Sequence, residues 1–287
     1  MLLAGFLGDP ERKPLTVARF RELAKKARLM EKPAQQRELT LQDLQNIGCS
    51  AQESAQILRL FSQQEQLQWY LQEGKGRGCT PITRIGERYP DRLRKCLGLE
   101  APVSLWYKGN VALLEKPKVA LVGSRDLREE NLYFAQQVGV QCAKQGYALV
   151  SGHARGADQT AEKACLQNGG QVISVVADAL MSHKAGENML FLAEDGFDIA
   201  FTSYRALSRN RIIHTLAEKT IVAQCTHQKG GTWDGTVKNL RHGWSPVFCF
   251  RDGSPASREL KDMGALLIDT DTLQDLSKLQ APAISLF

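Results

Sequence analysis

Short apolar runs alternate with amphipathic segments of helical length over residues 118–279. The runs predict strands, and the segments between them predict helices. The expected strands are Val119–Val122, Tyr147–Val150, Gln171–Val176, Asp198–Phe201, Thr220–Cys225, Val247–Phe250 and Leu266–Asp269. The expected helices are Gln159–Gln167, Arg209–Ala217, Trp233–Leu240, Ser257–Met263 and Thr272–Leu279, with Ala177–Gly196 irregular. This alternation predicts an α/β fold with a mostly parallel, doubly wound sheet.

The first 75 residues have a helical pattern instead. Thr40 with Asp43, and Ser50 with Glu53, have the spacing of helix caps. The stretch Gly74–Gly78 is the clearest interruption in the chain and predicts a flexible connector. We therefore expect a helical module at residues 1–78 and a larger α/β domain at 79–287.

Composition narrows the class of protein. The chain has 287 residues, of which 43% are hydrophobic and 24% charged, and a net charge of +6. This charge permits a phosphate-rich partner but does not demand one. The seven cysteines are scattered without a C-x-x-C pair, which argues against disulfides and zinc sites and for a reducing cytoplasm. No apolar run reaches the ~18 residues of a membrane span, and the start is too short for a signal peptide.

Four polar segments that follow strands or open helices are expected at one edge of the sheet. They are Gly123–Arg125, Ser151–Asp158, Ser203–Arg211 and Lys229–Thr236. Open α/β sheets bind ligands at the carboxyl ends of their strands, and helix N-termini there favour phosphate. Neither the G-x-G-x-x-G fingerprint nor a P-loop is present, so no nucleotide cofactor is expected.

The segment Ser203–Arg211 is the densest basic patch. It combines Arg205, Arg209 and Arg211 with Asn210 and the ring of Tyr204. Arginine binds phosphate bidentately, and a ring beside it can stack a base. The alternative is a helix start capped by Asn210, in which the arginines pair with carboxylates at the sheet edge.

Four motifs carry a family resemblance. The sequences VALVGSR, SGHARGAD, RNRII and GGTWDGT resemble, in order and spacing, motifs of the DNA-processing protein A (DprA, or Smf) family, over residues 80–250. The resemblance implies a Rossmann-like domain preceded by a SAM-like helical domain. It also implies a non-catalytic, homodimeric protein that binds single-stranded DNA and loads a RecA-type recombinase.

The resemblance also implies site residues. Arg125, Arg209 and Arg211 would contact the DNA backbone, while Gly123, Gly152 and Gly156 would allow close approach and Asn210 would hold its loop. The complete predicted nucleic-acid site adds Ser124, Ser151, Arg155, Arg205, Lys229, Gly230, Gly231 and Thr232. No catalytic or metal-binding residue is expected.

The chain departs from the family pattern at several positions. It has Ala157 where the family has isoleucine, Glu162 where it has histidine, and Gly230-Gly231-Thr232 where it commonly has Ser-Gly-Ser. Glu162 would add a negative charge near the site. We therefore expect a divergent member without the winged-helix domain of many relatives. Stand-alone relatives also resemble antitoxins that neutralise a neighbouring toxin, which makes a cognate toxin an alternative partner.

The wider superfamily offers a further alternative. It includes nucleotide-binding sensors and nucleoside-monophosphate phosphoribohydrolases, whose PGGxGT turn is followed by a catalytic glutamate. Here the turn is followed by Val237-Lys238-Asn239, so Asp234 would have to replace that carboxylate.

Overall fold

The sheet is built from nine strands, most of them apolar on both faces. In the computed structural model, which describes residues 1–9, 11–30 and 37–281, the strands are β1 Thr80–Thr83, β2 Ser104–Gly109, β3 Lys118–Val122, β4 Ala148–Ser151, β5 Gln171–Val176, β6 Met189–Glu194, β7 Lys219–Val222, β8 Val247–Phe250 and β9 Leu266–Ile268. Their order is β1-β2-β6-β5-β4-β3-β7-β8-β9. β1 and β2 run antiparallel to their neighbours, and all other pairs are parallel.

Helices cover both faces of this sheet. They are α5 Asp91–Leu97, α6 Glu129–Lys144, α7 Ala157–Gln167, α8 Ser203–Leu216, α9 Gly230–His242 and α10 Pro255–Asp262. Side chains alternate between the faces along a strand. Val119 and Leu121 accordingly pack against α6 and α7, whereas Ala120 and Val122 belong to the core that contains α5, α8 and α9. The predicted α/β class with a mostly parallel, doubly wound, Rossmann-like sheet is confirmed.

The described residues of the N-terminal part form four helices with a core of their own. These are α1 Val17–Arg28, α2 Leu41–Asn46, α3 Ala51–Ser62 and α4 Gln64–Gly76. Thr40 forms a capping box with Asp43 at α2, and Ser50 caps α3, as the sequence predicts. The buried core of this module consists of Leu15, Leu23, Leu44, Cys49, Ile57 and Leu60. No helix in the described ranges is long and apolar enough to cross a membrane.

The prediction of a flexible connector at Gly74–Gly78 is wrong. α4 runs through Gly74 and ends at Gly76, with Arg77 as its C-cap. A Cβ atom on Gly74 would lie 2.5 Å from Cζ3 of Trp106 in β2, so the glycine permits close helix–sheet packing. The division of the chain after residue 78 stays a prediction.

The strand predicted at Asp198–Phe201 is also wrong, and so is the irregular structure predicted throughout Ala177–Gly196. Met189–Glu194, inside the second segment, forms β6 between β5 and β2. The carbonyl oxygens of Ile199 and Ala200 instead accept hydrogen bonds from the guanidinium of Arg205. These hydrogen bonds anchor the start of α8, and the two carbonyls take no part in β-sheet pairing.

Candidate nucleic-acid interface

A cleft of about 460 Å³ lies at the carboxyl ends of the central parallel strands. The four segments expected there meet around it. Its walls include Gly123, Ser124, Arg125, Ala154, Asp158, Ser203, Arg209, Asn210, Lys229, Gly230, Gly231 and Thr232. This position is the one where open α/β sheets bind ligands.

The glycines of the first two loops make room for neighbouring protein atoms. A Cβ atom on Gly123 would lie 2.4 Å from Cβ of Ala157. Gly156 has φ of +87°, and its Cβ would lie 2.3 Å from the carbonyl oxygen of Arg125. The two loops are therefore interlocked, which fixes the floor of the cleft. The space beside Gly123 and Gly156, which the sequence analysis assigned to a DNA strand, is occupied by atoms of the protein.

Ser203–Arg211 is helical, not a loop. α8 begins at Ser203, with Thr202 capping the N–H of Arg205. The guanidinium of Arg205 donates to four backbone carbonyls, and that of Arg211 pairs with Glu194. Both arginines therefore make contacts within the protein. Only Arg211 pairs with a carboxylate as the alternative interpretation expects, and Asn210 lies within α8 rather than at its cap.

Arg209 is the buried member of the three. It is 8% exposed, and its Nη2 donates to the carbonyl of Gly152 at 2.9 Å. A Cβ atom on Gly152 would lie 1.8 Å from Nη1, so only glycine accommodates this guanidinium. Within the described residues, Nε of Arg209 has no hydrogen-bond partner. The guanidinium of Arg209 is thus a buried contact between α8 and the loop that follows β4.

Asp158 stabilises the second loop, which follows β4, through hydrogen bonds to its backbone. Its carboxylate accepts the backbone N–H groups of Gly152 at 3.0 Å and Ala154 at 3.3 Å. Burial raises the pKa of Asp158 to about 6, and the positive charge of Arg209 opposes that rise. The aspartate is therefore committed to the loop backbone.

Glu162, which the sequence analysis expected to add a negative charge near the site, lies beneath the second loop and not among the residues that line the cleft. It is buried, accepts from the hydroxyls of Ser151 and Ser174, and pairs with Nδ1 of His153 at 2.6 Å. The hydrogen bond to Glu162 raises the pKa of His153 above its usual value. Ser151 is fully buried and points to this carboxylate, which separates it from the other predicted site residues.

The third and fourth segments are joined by side-chain hydrogen bonds. Asn210 donates to the carbonyl of Gly231 at 3.0 Å, which agrees with its expected holding role. The hydroxyl of Thr232 donates to the carbonyl of Gly123 at 3.0 Å. Both bonds tie the start of α9 to the rest of the cleft.

Uncompensated positive charge gathers at the mouth of the cleft. Arg125 and Lys229 are exposed and form no ion pair with any described residue. Arg155 is exposed as well but pairs with Asp126 at 2.7 Å. α9 starts at Gly230 without a side-chain cap, so its first N–H groups and its dipole add further positive potential. Anions are favoured at such a place.

Exposed apolar side chains flank these cations, and the sequence prediction missed two of them. Phe201 and Leu207 line the cleft and are 52% and 46% exposed, and Tyr204 between them is 77% exposed. In the sequence, this apolar group could have been recognised only from the three-residue spacing of Phe201, Tyr204 and Leu207. Trp233, in the first turn of α9, is 6% exposed and belongs to the core, so its ring is not available to stack a base.

Asp234, the candidate carboxylate of the phosphoribohydrolase alternative, does not line the cleft. Asp234 lies in α9 and lines a groove on the opposite side of α8. Among the described residues that line the cleft, the carboxylates are Asp126 and Asp158, and both are engaged by the protein.

Comparisons with known proteins agree with this geometry. The DNA processing protein DprA of Streptococcus pneumoniae is 36% identical over 141 residues, which cover 46% of this chain and 50% of that protein. The DprA of Bacillus subtilis is 26% identical over 164 residues, covering 53% and 54%. The chain thus spans about half the length of the curated relatives it matches.

Solved structures extend the similarity. The crystal structure of S. pneumoniae DprA superposes with a TM-score of 0.73 at 27% identity, over 92% of this chain and 93% of that one. A structure of DNA processing protein A from Helicobacter pylori, described for its single-stranded DNA binding mode, gives 0.57 at 22% identity, over 68% and 94%. The second match bears on the fold alone.

The family model described as DNA recombination-mediator protein A matches residues 80–238, which include β1–β7 and the first nine residues of α9. Because this match covers more than half of the chain and all four segments of the cleft, the chain belongs to the DNA recombination-mediator protein A family.

Proposed function

We propose that the chain binds single-stranded DNA, with the sugar–phosphate backbone in the cleft at the carboxyl ends of β3, β4 and β7. The observation that carries this proposal is the group of positive donors without acidic partners among the described residues. Arg125, Lys229 and the N-terminus of α9 line one cleft. Phosphate is the ligand that such donors prefer.

Exposed rings beside these donors favour a single strand over a duplex. Phe201 and Tyr204 project next to the cleft, and unpaired bases can stack on them. Base–aromatic stacking contributes ~1–3 kcal/mol per base and tolerates any sequence. The proposal assigns to this chain the ligand named for the H. pylori protein of the same fold, whose structure was described for its single-stranded DNA binding mode.

We further propose that binding occurs without catalysis and without a cofactor. Asp158 is occupied by backbone N–H groups and Asp126 by Arg155, which leaves neither as a free acid or base. A phosphoribohydrolase would release free base from nucleoside monophosphates. A nucleotide sensor would be stabilised thermally by a nucleotide without turnover.

A protein partner and self-association complete the proposal. We propose a cytoplasmic homodimer that delivers its DNA to a RecA-type recombinase, in line with its family. A cognate toxin is the alternative partner. Solution mass measures the dimer, and co-purification with a RecA-type protein or with the product of a neighbouring toxin gene separates the two partners.

Charge reversal at the mouth of the cleft tests DNA binding. Arg125→Glu with Lys229→Glu should weaken binding of a labelled ~30-nucleotide strand and lower the slope of log affinity against log salt by ~1.4, at ~0.7 per lost phosphate contact. Lys144→Glu with Lys163→Glu is the matched control, since both lysines are exposed on α6 and α7 over the other face of the sheet. Equal affinity and equal slope for both double variants would refute the site. Arg209 and Arg211 are unsuitable because their reversal would disrupt internal contacts.

A further inference from the structure

A second groove lies on the other side of α8. It measures about 840 Å³ and is bounded by Ala18 and Arg21 of α1, by residues of α8, and by Lys238, His242 and Trp244 at the end of α9. Leu207, Arg209 and Asn210 of α8 line both this groove and the cleft. The two depressions are therefore neighbours, separated by one helix.

A basic face of α1 extends away from this groove, beginning at Arg21. Ala18, Arg21, Lys25 and Arg28 follow one another at intervals of three or four residues, so they share one face of α1. The module core includes Leu23 on the opposite side of the helix. Lys25 and Arg28 are exposed and pair with no acid in the described ranges. We name Arg21, Lys25 and Arg28 the α1 stripe.

Acidic side chains in the groove are largely neutralised. Glu100 pairs with Arg21, Glu194 pairs with Arg211, and Asp195 lies 4.0 Å from Nε of Arg205. Asp234 is exposed on α9, one turn before the exposed and unpaired Lys238. Asp234 and Lys238 offset each other, so the uncompensated positive charge beside the groove comes from Lys25 and Arg28 of the α1 stripe.

Flat rings accompany these cations. His242 and Trp244 are stacked, with centroids 5.2 Å apart and planes within 7°. Tyr204, 77% exposed, also lines the groove. Cations that follow a backbone and rings that stack bases are the two components of surfaces for single-stranded nucleic acid.

We propose that this groove and the α1 stripe form a second segment of the path of single-stranded DNA. A strand held in the cleft crosses the first turns of α8, enters the groove and continues along α1. From Arg21 to Arg28 the stripe is about 10 Å long, because each helical residue rises ~1.5 Å. The proposal rests on DNA binding by the cleft and assigns the helical module a direct part in it.

Strand length separates the two sites experimentally. A ~6-nucleotide strand has the length of a small binding site, whereas a ~30-nucleotide strand reaches beyond one. Lys25→Glu with Arg28→Glu should lower the affinity for the long strand at least ~10-fold in low salt and reduce its salt slope by ~1.4, while binding of the short strand stays unchanged. Lys238→Glu on the facing wall should act in the same direction, and Lys144→Glu with Lys163→Glu is the charge-matched control.

The outcomes distinguish this inference from the proposed function. If the wild-type protein binds neither strand, the proposed function itself fails. If the wild type binds both strands but the Lys25/Arg28 variant binds the long one with unchanged affinity and slope, the second segment does not exist. An equal loss for both strands, or the same loss in the control variant, would show a general charge effect and would also overturn the inference. Thermal unfolding of each variant establishes that it is folded.

Discussion

The contact between Arg209 and Gly152 is the smallest unit on which the cleft depends. The guanidinium lies directly over the glycine and donates to its carbonyl oxygen. Asp158 holds the N–H of the same glycine from the other side of the peptide chain. One residue without a side chain thus joins α8 to the loop after β4, and its replacement displaces both.

Gly152→Ala should therefore destabilise the protein by ~2 kcal/mol or more, because overpacking of a buried site typically costs 1–3 kcal/mol. A double-mutant cycle identifies the cause. In an Arg209→Ala background the space beside residue 152 is open, and the same alanine should then have little effect on the free energy of unfolding. Urea denaturation of the four proteins measures this difference. Equal destabilisation by Gly152→Ala in both backgrounds would show that the guanidinium is not the obstacle.

His214 makes folding sensitive to acid. It is buried beside Thr220 and Asn239, and burial lowers its pKa from 6.5 to about 3. The unfolded chain binds a proton below pH 6.5 and the folded protein does not. Stability that is present above pH 6.5 is consequently lost as the pH falls towards 3, by ~1.4 kcal/mol per pH unit from this residue alone.

Thermal or urea unfolding between pH 7 and 4 measures this loss. His214→Gln should flatten the pH dependence, whereas His242→Gln, on an exposed ring, should leave it as in the wild type. An unchanged pH dependence in the His214 variant would contradict the assignment.

At the level of elements, the sequence correctly predicted strands that are determined by a local apolar pattern. Val119–Val122 and Val247–Phe250 are short apolar runs, and they form β3 and β8 as expected. The start of α8 was missed because its three arginines and two serines resemble a polar loop. What makes it helical is the cap by Thr202 and the anchoring of Arg205 on distant carbonyls.

Long-range contacts explain the other differences. Gly74 has the local signature of a breaker, yet the indole of Trp106 packs against α4 at this point. The positions of the site residues likewise depend in part on long-range contacts. Their arrival at one cleft was predictable from the order of strands and loops, but the burial of Arg209 depends on Gly152, 57 residues earlier.

At the scale of the whole molecule, the helical module and the sheet share an aromatic seam. Tyr70 of α4 packs edge-on against Trp106, with centroids 5.3 Å apart, and against Phe197 at 4.7 Å. Its hydroxyl donates to Asp198 in the segment that leads to α8. Through this segment the module is connected to the helix that separates the cleft from the groove.

Tyr70→Phe should therefore destabilise the protein by ~1–3 kcal/mol, since it leaves the partner carboxylate without its donor. Tyr107→Phe is the matched control. Tyr107 follows Trp106 in β2, and its hydroxyl forms no hydrogen bond with any described residue. Urea unfolding compares the two. Equal effects of the two substitutions would mean that the Tyr70 hydroxyl does not stabilise the seam.

The interlocking of Gly123, Gly156 and Ala157 has a kinetic consequence. The floor of the cleft is fixed by protein atoms in contact, so no loop there has to rearrange before a strand can enter. Binding then needs little ordering of the protein, and the encounter is accelerated by the surrounding positive potential. In stopped-flow measurements the observed association rate should rise linearly with DNA concentration, without the plateau of a slow opening step, and should decrease as salt is added.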